Sequence, residues 1–171
     1  MSLAKPARLD ELLNYRLARL LAVSSAPGIR LLEGGYGIAR REWSLVAIVA
    51  VHGPISPSDL AEVAHLDRPD VSRAITHLVA NGLLARKRVP HDARRAQIAI
   101  TEAGRRLHDQ VFPQLVRINA LLLRALTTEQ LAALDGALRI LTGTAEDLVR
   151  QNTIPLKAAR HLGRRREVAA R

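Results

Sequence analysis

The sequence contains no cysteine. That removes a disulfide framework, a thiolate zinc finger, a cysteine nucleophile and a thiol redox sensor, and it fits a reducing cytoplasm, the expected location. Aromatic residues are nearly as scarce: Trp43, Tyr15, Tyr36 and Phe112 make up 2% of 171 residues. A protein that stacks successive single-stranded bases on aromatic rings needs more of them. Long apolar runs are missing too. The longest, Leu45 to Val51, is far short of the ~20 residues that span a bilayer, so no membrane partner is expected. Near the N-terminus, Lys5 and Arg8 lead into Asp10 and Glu11 rather than an apolar block, which is not the pattern of a signal peptide.

Catalytic and metal-binding patterns are also lacking. The sequence has no nucleophile elbow, no phosphate-cradling glycine loop and no His-Glu-x-x-His, so no enzyme and no cofactor are expected. His52, His65, His77, His91, His108 and His161 are scattered and never fall in the paired spacing of a zinc site, so no metal is expected.

What the sequence does have is positive charge. Lys and Arg total 26 against 16 Asp and Glu, a formal net charge of +10. An excess of this size favours anionic partners such as nucleic acid. It is concentrated in two places. Residues 65–95 carry Arg68, Arg73, Arg86, Lys87, Arg88, Arg94 and Arg95 against Asp67, Asp70 and Asp92. Residues 151–171 carry six basic residues against Glu167. The rest of the chain is close to neutral. Apolar residues make up 48%, enough to build a core.

Periodicity divides the chain. Leu9, Leu12, Leu13, Leu17, Leu20 and Leu21 recur every three or four residues, the pattern of an amphipathic helix over 9–24. Ser24-Ser25-Ala26-Pro27-Gly28 should interrupt it, and Gly34-Gly35-Tyr36-Gly37 should form a turn. Residues 40–52 read as a buried helix ended by Gly53-Pro54. Ser56 is a good N-cap, Pro57 suits the first helical position, and Asp59 approximates a capping box, so a helix should run to about His65. After the turn Leu66-Asp67-Arg68, a second helix begins at Pro69. Val71, Ile75, Leu78 and Val79 form its buried face, and Asn81-Gly82 suits a left-handed C-cap. Leu84–Val89 and Gln97–Thr101 then read as strands around a basic loop, Pro90–Arg95.

Two helices with a short turn, followed by a basic hairpin, make a winged helix-turn-helix. Beyond it, Leu107, Val111, Leu115, Ile118, Leu122 and Ala125 stripe a long helix that Pro113 should kink rather than end. Thr127-Thr128-Glu129-Gln130 is a capping box for a last helix, whose Leu131, Leu134, Leu138, Leu141, Ala145 and Leu148 form a near-heptad seam. The end helices are more apolar than a small winged domain needs. They bury each other across a dimer interface or, alternatively, complete a bundle within one chain. The fold class is therefore mainly α with a small β-wing: a winged helix-turn-helix plus a helical dimerisation region. The expected organisation is an N-terminal dimerisation helix and loop (1–36), the DNA-binding domain (37–101), C-terminal dimerisation helices (102–150) and a basic tail (151–171).

The order and spacing of several segments resemble the MarR family of bacterial transcriptional regulators over roughly residues 9–150. They are Arg41-Glu42-Trp43, Ser56-Pro57-Ser58-Asp59-Leu60-Ala61-Glu62, Asp67-Arg68-Pro69-Asp70-Val71-Ser72-Arg73, Asn81-Gly82-Leu83-Leu84-Ala85-Arg86, Asp92-Ala93-Arg94 and Ile100-Thr101-Glu102-Ala103-Gly104. Ile100 stands where the family usually has leucine, and the tail falls outside the pattern. The resemblance implies a homodimer on a pseudo-palindromic DNA operator, with repression as the expected role, released in many members by a small phenolic or aromatic-acid ligand. Arg16, Tyr36, Arg40, Trp43 and His52 would be plausible linings of an effector pocket, though each also has a structural reading.

On that reading the recognition helix presents Arg68, Pro69, Asp70, Ser72, Arg73, Thr76 and His77 to the major groove. Arg73 either grips guanine bidentately or clamps a phosphate. Asp70 either accepts from a cytosine amino group or pairs with Arg73 at i,i+3 and orients it. In the wing, Arg94 is the candidate for the minor groove, Asp92 orients the wing, His91 lies in its loop, and Lys87, Arg88 and Arg95 suit phosphates. A nonspecific architectural DNA binder is the alternative, which the basic tail would suit.

Overall fold

The structure, a computed structural model, describes residues 3–89 and 92–153, and over 88, 89 and 92–95 it describes the backbone alone. Residues up to Arg124 pack as one unit, and Ala125 begins a second.

In the first unit, a single 3-10 turn, Leu9–Glu11, precedes helix α1 (Leu13–Ser24). The chain does not break after Ser24 as its composition suggests. It continues as a short helix α2 (Ala26–Ile29) and a π-helical turn over Arg30–Gly35. Pro27 lies in the first turn of α2, where its missing N–H is not needed. Gly34 and Gly35 are inside the π-helical turn. The actual reversal is at Tyr36 and Gly37, the latter at φ +64°.

Helix α3 (Arg40–His52) buries Trp43, Leu45, Val46 and Val49. Trp43 stacks on the His108 ring at 5.7 Å, and His108 on Phe112 at 5.3 Å. Helix α4 (Pro57–Val63) starts at Ser56, whose Oγ accepts from the Asp59 N–H at 3.1 Å. The turn to the next helix passes through His65 in the left-handed region, φ 51°. Helix α5 (Arg68–Ala80) buries Val71, Ile75 and Leu78 and leaves Val79 half-buried. It ends at Gly82, φ +69°, with the Leu83 N–H donating to the Leu78 carbonyl, the six-to-one bond of a Schellman cap.

Strands β1 (Leu84–Val89) and β2 (Asp92–Ile100) form an antiparallel ribbon, with Leu84 opposite Ile100 and Lys87 opposite Gln97. The register shifts between Arg88 and Val89, so that Val89 pairs with Asp92. Asp92, Arg94 and Arg95 therefore belong to a strand and not to a loop. The ladder bonds extend pairing past the alternating apolar residues that mark the strand in sequence. Ile55 adds a short third rung by exchanging both backbone bonds with Ile98.

The wing root locks onto helix α6 (Glu102–Leu123). Thr101 Oγ1 accepts from the Gly104 N–H at 3.0 Å and itself donates to the Gly82 carbonyl at 2.6 Å. Helix α6 continues through Pro113. Arg105 Nη1 ties it to the Ala50 carbonyl of α3 at 3.0 Å. The core, from Leu32 to Val111, joins α3, α4, α5, both strands and α6. Helix α1 contributes no buried residue to it.

In the second unit, helix α7 (Thr128–Arg150) begins with the expected capping box: Thr127 Oγ1 accepts from Gln130 N–H, and Gln130 Oε1 from Thr127 N–H. Leu134, Leu138, Leu141 and Leu148 of its seam are exposed. The expected tail 151–171 lies outside the described residues from 154 onward. Among the described residues no helix is long and apolar enough to cross a membrane.

Candidate nucleic-acid interface

The burial of α5 sorts its residues into two faces. Val71, Ile75 and Leu78 turn to the core, while Arg68, Pro69, Ser72, Arg73, Thr76 and His77 are exposed and Asp70 is half-buried. The same period that fills the core thus gathers every expected recognition residue on the outward side. Arg68 and Pro69 form the first turn, with Asp67 in the N-cap position.

Local contacts organise this face. Arg73 Nη2 donates to Asp70 Oδ1, the i,i+3 pair. Arg41 Nη1, from the first turn of α3, lies 3.8 Å from the other oxygen, Oδ2. A lone carboxylate here would repel an anionic partner, and two guanidiniums offset its charge. Thr76 Oγ1 donates to the Ser72 carbonyl at 3.0 Å and accepts from Arg86 Nη2 of β1 at 3.3 Å. That contact ties the root of the ribbon to the middle of α5.

His77 is engaged at both ring nitrogens. The Asn81 amide nitrogen is 3.2 Å from Nε2 and donates to it. The proton is therefore on Nδ1, which donates to Glu42 Oε1 at 2.5 Å. The other oxygen of Glu42 accepts from the Ala39 N–H at 3.4 Å and caps α3, a position where alanine offers no side-chain acceptor.

On the ribbon, Lys87 is exposed in β1. Arg88 lies in β1 and Asp92, Arg94 and Arg95 in β2, with side chains outside the description, and His91 lies outside the described residues. Arg41 and Glu42 are members of this surface that the sequence does not assign to it. Arg41 and Glu42 are far from α5 in the chain, and only the α3–α5 crossing brings them together. Arg86 was legible as part of the Asn81–Arg86 segment, but its contact with Thr76 was not.

A cleft of about 490 Å³ opens between α1 and the start of α3. Ala18, Leu21, Ala22 and Ile29 line it, with Glu33, Arg40 and Arg41. Of the residues considered for an effector pocket, Arg40 lines this cleft. Trp43 is core, and the Tyr36 hydroxyl is bonded to Gln114 Nε2 at 2.5 Å.

Helix, turn, helix and ribbon occur here in the order of a known DNA-binding architecture, and residues 36–95 match the family model described as MarR family. This winged helix-turn-helix is similar to those of the MarR family. Its relatives include the transcriptional regulator FarR of Neisseria gonorrhoeae, 29% identical over 74 residues, which are 43% of this chain and 51% of FarR. The chain thus spans about half the length of the curated relatives it matches. Among solved structures, Bordetella bronchiseptica BpsR superposes with a TM-score of 0.71 at 21% identity, covering 81% of this chain and 98% of that one. BpsR is described as regulated in its DNA binding by 6-hydroxynicotinic acid. S. aureus MepR in its DNA complex gives 0.71 at 18% identity, covering 78% and 98%. The family match spans α3 to β2, and the superpositions extend the shared fold to the helices around that segment.

Proposed function

We propose that the protein is a transcriptional regulator that binds double-stranded DNA sequence-specifically as a homodimer, on a pseudo-palindromic operator, and represses until a small aromatic or phenolic ligand releases it. The observation that carries the reading is the outward face of α5, where Arg73 is pinned by Asp70 beside a basic two-stranded ribbon. A guanidinium held in one direction suits bidentate recognition of a guanine edge, worth ~1–3 kcal/mol of discrimination. The ribbon supplies Lys87, Arg88, Arg94 and Arg95 for phosphates and the minor groove. Exposed leucines on α1 and α7 support a dimer. Two recognition helices related by a two-fold axis then read half-sites about one turn, roughly 34 Å, apart. The cleft beside Arg40 and Arg41 supports a small organic anion as the ligand. Named aromatic acids are the compounds to test, given the regulation described for BpsR.

Binding to a selected operator and to random duplex, measured at several salt concentrations, tests the reading. Preference for the operator of order 10³ or more, over a shared salt slope, is expected. A ratio near one would instead describe an architectural DNA binder.

A further inference from the structure

Two consecutive residues of α3 each hold a residue of α5 with a partner of complementary chemistry. Arg41 faces Asp70, and Glu42 accepts from His77. Asp70 and His77 are seven residues apart, about two helical turns or ~10 Å along the axis. The recognition helix is therefore held at its first turn and again near its last by one short pad that lies outside the helix-turn-helix.

We propose that Arg41 and Glu42 are positioning residues for DNA reading: they fix the setting of α5, and through Asp70 they fix the direction of Arg73. The inference rests on the proposed function and deepens it. The geometry at Asp70 carries it. Oδ1 takes Arg73 and Oδ2 faces Arg41, so each oxygen has its own guanidinium and the carboxylate plane has one favoured orientation. Without Arg41 the carboxylate rotates about its side-chain bonds, and Arg73 gains alternative rotamers. It keeps its charge for phosphates but loses the single direction that a guanine edge requires. At the other end, His77 has both ring nitrogens occupied by Glu42 and Asn81. It anchors the helix and reads no base.

Magnitudes limit the effect. The Arg41 and Asp70 side chains are 71% and 38% exposed. An exposed pair of this kind is worth a fraction of a kcal/mol, which corresponds to about two- to five-fold in discrimination and not to a loss of binding.

The test is a double-mutant cycle on the full-length protein, with affinities for operator and random duplex measured for each variant. Arg41→Gln is expected to lower the operator-to-random ratio about two- to five-fold while the thermal midpoint stays unchanged. In an Asp70→Asn background the same substitution is expected to leave the ratio where Asp70→Asn alone puts it. Glu42→Gln, which keeps shape and an acceptor oxygen but loses the charge, is expected to lower the ratio in wild type and not beside His77→Gln. If Arg41 gripped phosphate directly, its loss would weaken operator and random duplex alike and would persist in the Asp70→Asn background. That result, or an unchanged ratio in Arg41→Gln, overturns the inference while wild-type discrimination remains. A wild-type ratio near one overturns the functional reading beneath it.

Discussion

At the scale of single residues, charge pairs do more to direct side chains than to stabilise the fold. The Asp70–Arg73 pair is exposed, and its value lies in limiting where the guanidinium points. Arg73→Ala should therefore leave thermal stability nearly unchanged and cost about 1–3 kcal/mol of operator discrimination, read from competition with single-base variants of the site. Uniform weakening across all sequences would make Arg73 a phosphate clamp instead. A second residue-scale prediction concerns Glu129. Its carboxylate is held below the usual glutamate range, first by the Thr127 hydroxyl and then by its own backbone N–H. A group whose folded value is depressed contributes stability above its unfolded value and loses it as pH falls through the folded value. The start of α7 should thus loosen only in acid. A Glu129 titration midpoint by NMR at or above the ordinary glutamate range would contradict this.

At the scale of elements, the joint between ribbon and α6 is closely packed at Gly104. A Cβ on Gly104 would fall well inside van der Waals distance of the Leu83 carbonyl oxygen and 2.9 Å from Ile100 Cγ1. Neither neighbour is the free end of a flexible chain, so Gly104→Ala should destabilise by about 1–3 kcal/mol, seen as a lower denaturant midpoint. An unchanged midpoint would mean that the ribbon root yields without cost. This joint also shows what a sequence conveys. Ser56, the Thr127 box and Asn81-Gly82 marked helix ends because capping is local chemistry. The buried face of α5 was legible from its period. The α2 and π-helical segment was not, because Pro27 and Gly28 read as a helix end, whereas Pro27 here sits in the first turn of a new helix and Gly28 packs near Leu115, 3.5 Å from where its Cβ would be. The turn before α5 contains no glycine, and His65 takes the left-handed conformation instead. The outward residues of α5 were legible as one face. Their supports Arg41 and Glu42 were not, since pairing across α3 and α5 is a property of the crossing.

At the scale of the whole molecule, the apolar faces require explanation. Leu20 and Leu21 of α1 are 53% and 54% exposed, and Leu134, Leu138 and Leu141 of α7 about 40%. Surfaces of this kind mark association. Leu138→Glu should shift the protein from dimer to monomer in sedimentation, and operator affinity should fall with it, because two linked recognition helices gain from effective concentration what one cannot. A Leu138→Glu protein that still sediments as a dimer would remove that seam from the interface. Paired reading of a two-fold site is the central claim, and selection of bound duplexes from a random pool by the full-length protein tests it most directly. The account predicts an enriched inverted repeat with half-site centres about one helical turn apart. A pool that remains random after selection would contradict it.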